Sequence, residues 1–213
     1  MSVKVCETFY SILGESTFMG QPAFFIRLTG CNLRCRYCDT PYAYEGGSQM
    51  SLAALVKAAL TFPGRLALVT GGEPLLQAET LPLLSRLAEA GLTVLLETNG
   101  SLPIAGIDPR VHRILDVKCP GSGMAEHNLW DNLGLLTPLD EIKFVVSDHA
   151  DFAWALEVIR EYHLAERLPL LISPVFGQVP AQEAAAWILK SRLPLRLNVQ
   201  LHKYIWGPET RGV

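Results

Sequence analysis

Ala23-Phe24-Phe25-Ile26-Arg27-Leu28-Thr29-Gly30-Cys31-Asn32-Leu33-Arg34-Cys35-Arg36-Tyr37-Cys38-Asp39-Thr40 is the stretch whose reading decides the fold. It opens as a short apolar run, Ala23 to Leu28, and passes through a glycine into a polar loop carrying three cysteines. A short apolar strand that delivers its chemistry at its carboxyl end is how α/β barrels and open α/β sheets build sites. The arrangement recurs downstream. Thr70-Gly71-Gly72-Glu73-Pro74 follows Val69, Glu97-Thr98-Asn99-Gly100 follows Leu96, and Lys118-Cys119-Pro120-Gly121 follows Val117. Ser147 follows Val146, Ser173-Pro174 follows Ile172, and Gln200 and His202 follow Val199.

Further strand-like runs are Leu66 to Val69, Leu92 to Leu96, Ile114 to Val117, Ile142 to Val146, Leu170 to Ile172 and Leu195 to Val199. Most are continuous apolar runs, as expected of strands covered on both faces. Helices are expected over about 51–61, 78–90, 149–164 and 181–191, from apolar spacing and end signals. Ser51 suits a cap for the first, Gly91 a stop for the second, and Pro180 the first turn of the last. Alternating strands and helices imply a parallel sheet with right-handed crossovers. About six such units fall short of the eight of a full barrel. The expected fold is an incomplete (β/α) barrel, with a doubly wound open sheet as its rival.

The chain has 213 residues and a net charge of −3, with 49% hydrophobic and 18% charged residues. That balance excludes a disordered chain and leaves no basic footprint for nucleic acid. No apolar run approaches the ~18 residues of a membrane span, and the first residues lack a signal-peptide pattern. The expectation is one domain over 1–213, without linker or repeat, in the cytoplasm. Five cysteines, an odd number, argue against a disulfide framework and for metal or catalytic use.

Three of the five make the pattern Cys31-x3-Cys35-x2-Cys38. A [4Fe–4S] cube usually takes four cysteines. Three leave one iron open to bind a substrate or cofactor, as a catalytic zinc keeps one open position. A structural zinc site, completed by Cys119, Asp39 or a histidine, is the competing reading, although most zinc modules pair two Cys-x2-Cys units. A thioredoxin-type redox pair leaves Cys31 without a role.

The three-cysteine loop, with Tyr37 before its last cysteine and Gly71-Gly72-Glu73-Pro74 one strand–helix unit later, resembles the signature of the radical S-adenosylmethionine (SAM) enzymes. Further segments narrow the likeness: Phe9 to Ser16, Phe25-Ile26-Arg27-Leu28, Cys38-Asp39-Thr40, Glu97 to Gly100, Asp116 to Gly123, and Gln200-Leu201-His202-Lys203. In order and over nearly the whole chain, they resemble the 7-carboxy-7-deazaguanine synthase family. That resemblance implies conversion of 6-carboxy-5,6,7,8-tetrahydropterin to 7-carboxy-7-deazaguanine with loss of ammonia, on the route to queuosine and other 7-deazapurines. The reduced cluster cleaves SAM, the 5′-deoxyadenosyl radical takes hydrogen from carbon 6, the skeleton rearranges, and SAM is regenerated. It also implies Mg2+, a flavodoxin or ferredoxin as electron donor, and a homodimer.

By the same resemblance, Cys31, Cys35 and Cys38 hold the cluster and Thr40 the Mg2+. SAM falls to Tyr37, Cys38, Asp39, Gly72, Glu73, Thr98, Asn99, Lys118 and Cys119, with Glu73 on the methionine ammonium. The pterin falls to Ile12, Leu13, Gly14, Glu15, Arg27, Thr70, Glu97 and His202. No side chain is assigned as acid or base. Some residues support this independently. Arg27 sits in an apolar strand, and a buried guanidinium needs an anion. Either the substrate carboxylate, which arginine binds bidentately, or a core acid such as Glu97 or Asp116 supplies it. Thr40 is a weak Mg2+ ligand that needs substrate oxygens and water to complete an octahedron, and its other reading is a helix cap. The short cysteine loop leaves Met50 to Phe62 as a plain helix. The rivals are another radical SAM enzyme, such as a glycyl-radical activase, and a zinc-binding module.

Overall fold

The computed structural model describes residues 1–213. Its first elements are β1 (Ser2–Ile12) and β2 (Pro22–Leu28), an antiparallel hairpin, with β3 (Ser48–Ser51) added antiparallel to β1. From β2 onward the strands run parallel: β4 (Leu66–Gly71), β5 (Thr93–Thr98), β6 (His112–Val117), β7 (Glu141–Val146), β8 (Leu170–Pro174) and β9 (Leu195–Leu197). The helices are α1 (Leu52–Leu60), α2 (Thr80–Glu89), α3 (His149–Glu161), α4 (Ala181–Ser191) and α5 (Leu201–Trp206).

All nine strands belong to one sheet, in the order β3-β1-β2-β4-β5-β6-β7-β8-β9, with β3 and β9 as open edges. The barrel is therefore unclosed, as expected. Its seven parallel strands are joined by six connections, and α1 to α4 fill four of them. The stretches from β5 to β6 and from β6 to β7 contain no α-helix, and the second holds only short 3-10 turns at Pro120–Ser122, Ala125–His127 and Trp130–Leu135.

The sequence differs from this in four places. β1 is a strand of 11 residues where only a leading segment was expected, because Glu7, Thr8 and Ser11 interrupt its apolar positions. Met50 lies in β3, and helix α1 starts at Leu52, where the Ser51 hydroxyl accepts from Ala54 N at 3.1 Å. Pro180 precedes α4 rather than filling its first turn. β9 ends at Leu197, and His202 rides on α5, not on a strand end.

Successive residues of a strand face opposite sides, and each side of this sheet has its own core. Ile26, Leu28, Val69, Leu96, Val117 and Phe144 face the helices, in a cluster of 35 buried residues that includes Leu55, Leu83, Leu87 and Phe152. The other face closes on itself. There Leu13, Ala23, Phe25, Leu66, Leu68, Leu95 and Ile114 form a cluster of only 7, capped by Phe9 and Phe18. The connection from β1 to β2 makes its floor. Thr17 donates to Glu141, the first residue of β7, and Phe18 sets its ring edge-on to His112, the first of β6, at 5.1 Å.

Candidate active site

Above that apolar floor the inward positions turn polar. Two residues on from Phe25, Leu68, Leu95 and Ile114 stand Arg27, Thr70, Glu97 and Asp116, and β7 contributes Lys143. Arg27 is in register with Thr70, and Asp116 with Lys143. The layer lines a cavity of about 680 Å³, within the range of small-molecule sites. Cys31, Cys35 and Cys38 line the same cavity from the loop after β2.

That loop is fastened at several points. Gly30 N donates to Ala43 O at 2.8 Å, Glu73 N to Gly30 O at 2.7 Å, and Arg36 N to Ser122 O at 3.0 Å. The Tyr37 hydroxyl crosses the cavity to donate to Val145 O at 3.0 Å. Asn99 Nδ2 lies 3.8 Å from Cys31 Sγ and donates to Asn32 Oδ1 at 3.1 Å. The glycines at 71 and 72 serve this packing. Gly71 has φ +145°, and a Cβ there would strike the Leu28 backbone. A Cβ on Gly72 would strike the Gly30 carbonyl. They bring the end of β4 against the root of the cysteine loop.

The three cysteines are free and part-exposed. No group of three or more His, Cys, Asp or Glu side chains is set to clamp a single metal ion. Three thiols from one loop that line one cavity fit the corners of a [4Fe–4S] cluster, which takes cysteine ligands. A second sign of fit lies beside them. Lys118 Nζ donates to Asp116 Oδ2 at 2.7 Å, while Asp116 Oδ1 is buried without any hydrogen-bond partner. A buried acceptor left open awaits a donor, and SAM carries an ammonium and ribose hydroxyls.

Of the residues expected in the site, Leu13, Gly14, Glu15, Arg27, Cys31, Cys35, Tyr37, Cys38, Asp39, Thr40, Thr70, Gly72, Glu97, Thr98, Asn99, Lys118 and His202 line the cavity. Three do not. Ile12 ends β1 outside it. Cys119 is fully buried in the helix-side core, where burial pushes its thiol far up. Glu73 is fully buried and already engaged: it accepts from Leu75 N at 2.9 Å, Thr98 Oγ1 at 2.9 Å and Asn99 N at 2.6 Å. In this structure it fastens the end of β5 rather than offering a free carboxylate to an ammonium.

Arg27 finds an acid other than the two weighed from sequence. Its Nε donates to Glu7 Oε1 at 2.8 Å across the β1–β2 hairpin, and the Tyr42 hydroxyl donates to the same oxygen at 3.1 Å. Its two Nη groups have no protein partner. Burial pulls the guanidinium down, but Tyr42, Glu7 and Glu97 more than offset this. Thr70 Oγ1 donates to Glu97 Oε2 at 2.8 Å. Thr40 occupies the cap position of a 3-10 turn without capping it, and its hydroxyl donates to Asp39 Oδ1 at 3.0 Å. The other Asp39 oxygen accepts from Gln200 Nε2 and Lys203 Nζ, both at 2.7 Å, which ties α5 to the cysteine loop. The His202 ring lies against Gly14, where a Cβ would collide with it.

Sequence reasoning missed Lys143 and Glu7. The signal for Lys143 was present, because a cation inside Ile142-Lys143-Phe144 is the same anomaly as Arg27 in its strand. Glu7 gave none, since β1 itself was unseen.

A strand-end cavity with three thiols at its rim and an open acceptor beside them defines a class. The Radical SAM superfamily profile matches residues 25–166, and the chain belongs to that superfamily. Its cofactors are accordingly a [4Fe–4S] cluster and SAM. A 7-carboxy-7-deazaguanine synthase of Chlorobaculum tepidum is 47% identical over 214 residues, covering 99% of this chain and 97% of that protein. One of Koribacter versatilis is 43% identical over 229 residues, covering 99% and 100%. The crystal structure of QueE from Escherichia coli shares the fold at a TM-score of 0.77, over 95% of each chain and at 24% identity. Within the superfamily, the chain belongs to the 7-carboxy-7-deazaguanine synthase family. No helix is long and apolar enough to cross a membrane.

Proposed function

We propose that this chain converts 6-carboxy-5,6,7,8-tetrahydropterin to 7-carboxy-7-deazaguanine, releasing ammonia. The observation that carries the reading is one cavity lined by two kinds of group: the three thiols of the loop after β2, and the polar set Arg27, Glu15, Glu97, Thr70 and His202. A pterin carboxylate and an amino-pyrimidinone ring need such a cation and such acceptors.

Cys31, Cys35 and Cys38 hold the cluster, and when bound the cluster and SAM supply the one-electron chemistry that starts the ring contraction. Tyr37, pinned by its bond to Val145 O, and Asn99, pinned through Asn32, fix the SAM side of the cavity. Asp116 and Lys118 offer a paired acceptor and donor there. Arg27, aimed by Glu7, turns its free Nη groups on the pterin carboxylate. Glu15 and Glu97 accept from the pyrimidine ring, and His202 against Gly14 closes one side. Thr40 takes Mg2+ only with substrate present, since one hydroxyl beside Asp39 cannot fill an octahedron.

The chain acts as one domain over 1–213, since a single sheet runs through it. A flavodoxin or ferredoxin supplies the electron, and the enzyme works as a cytoplasmic homodimer. Tyr204, Ile205 and Trp206 on α5 are exposed apolar surface for such a pairing.

The deciding experiment is anaerobic incubation of the holoenzyme with SAM, reductant, Mg2+ and the tetrahydropterin, with products read by mass. The expected product is lighter than the substrate by one ammonia. Reductive SAM cleavage without that product would point to a different radical SAM reaction.

A further inference from the structure

We propose that Lys143 is a positioning residue for ring recognition, holding Glu15 and Glu97 as a fixed pair of anionic acceptors that select a 2-amino over a 2-oxo pteridine. This rests on the pterin reading above and assigns the part of the cavity that chooses the ring.

Three separate elements meet here. Glu15 comes from the connection between β1 and β2, Glu97 from β5 and Lys143 from β7. Lys143 Nζ lies 2.9 Å from Glu15 Oε2 and 3.7 Å from Glu97 Oε1. Thr70 Oγ1 occupies the second Glu97 oxygen at 2.8 Å. The Lys143 side chain is 10% exposed, and an ammonium buried that deeply must be paired. Asp116, in register with it on β6, adds to the negative field around Lys143, but its bonded oxygen goes to Lys118, and the carboxylates within 4 Å of Lys143 Nζ are Glu15 and Glu97.

Two carboxylates sharing one cavity repel, and without a cation the pair is biased toward taking up a proton. Burial pushes the Glu15 carboxyl up, and the Lys143 charge opposes that push. Burial also pulls Lys143 down, but Glu15 and Glu97 hold it well above the ordinary lysine value.

The protonation state of the pair decides what it accepts. An ionised carboxylate is an acceptor only, while a protonated one also donates. The 2-amino-4-oxopyrimidine edge presents N–H donors at the amino group and the ring nitrogen. A 2-oxo ring presents an oxygen where the amino group stood, and that oxygen faces a carboxylate without a proton between them. Lys143, set within reach of both carboxylates, supplies the positive charge that favours their acceptor-only form, and an acceptor-only pair rejects the oxo ring.

The test uses the anaerobic holoenzyme with SAM and two oxidised, non-reacting ligands, 6-carboxypterin and 6-carboxylumazine, titrated by their fluorescence. The wild type is expected to bind the amino compound at least about tenfold tighter than the oxo compound, as unpaired polar groups enforce. K143M is expected to bring the two affinities within about twofold, and K143R to restore most of the difference. A K143M protein that keeps the wild-type ratio, even with both affinities weakened, overturns the proposal and leaves the pterin reading intact. A wild type that binds neither ligand overturns the pterin reading itself, and this proposal with it. If K143M loses its cluster, K143Q carries the same comparison.

Discussion

The two faces of the sheet are built from alternate residues of the same strands, yet they obey different rules. The helix side is mostly apolar: its 35 residues form a continuous core, and the buried Arg113–Asp140 pair sits where β6 and β7 begin. The inner side has an apolar floor of only 7 residues and then carries Arg27, Thr70, Glu97, Asp116 and Lys143. Burying charges costs stability unless each is paired. The inner layer meets that cost with ion pairs: Arg27 with Glu7 on the neighbouring strand, Lys143 with Glu15 from the β1–β2 connection, and Asp116 with Lys118 just beyond the end of its own strand. One face therefore holds the fold together, and the other uses that rigidity to keep charged groups in place around a cavity.

The sharpest way to separate the faces is to remove one side chain from each. Cys35→Ala, on the rim of the cavity, is expected to abolish cluster assembly and all turnover. Iron analysis should find essentially no cluster, while circular dichroism keeps the native sheet. A full cluster in that variant would break the assignment of ligands. Phe144 is fully buried on the helix side. Phe144→Ala is expected to cost about 3–5 kcal/mol, as large core truncations do, measured by denaturant titration. The fraction that remains folded should still assemble a cluster.

The same contrast explains what could be read from the sequence. The helix-side core makes strands β2 and β4 to β8 apolar enough to recognise, and Ser51 and Gly91 mark helix ends by local chemistry. The cysteine loop and the Gly71-Gly72 turn are legible because short spacing carries them. β1 escaped because polar residues interrupt its apolar positions along its second half, where Glu7 faces a partner, Arg27, rather than water. The resemblance places Glu73 and Cys119 beside SAM, but a motif names residue types, not the direction in which they point. Only the fold shows that Glu73 turns back onto Thr98 and Asn99.

A finer test acts within the inner layer. Arg27→Ala is expected to raise KM for the tetrahydropterin about a hundredfold, near the 2–3 kcal/mol of a charge-assisted contact. SAM cleavage without substrate should change less than about twofold. Glu7→Gln keeps the guanidinium but loosens its aim, so its KM should rise by about tenfold. Steady-state kinetics with both readouts checks this. Equal loss of both activities in Arg27→Ala would make the residue a structural tie like those of the outer face.

The smallest expected effect lies where the inner layer meets α5. His202 packs on Gly14, and burial, with Lys203 adding to it, pushes its imidazole below the ordinary histidine value. The folded protein therefore resists protonation there while the unfolded chain accepts it. Stability from this site is present above the unfolded histidine pKa and is lost as pH falls through it toward the depressed folded value. Between about pH 7 and about pH 5, the usual range of histidine charging, the wild type should lose slightly more stability than His202→Gln. Denaturant midpoints of both proteins across that range measure the difference. Parallel curves would mean that His202 lies open to water and that α5 does not close the cavity.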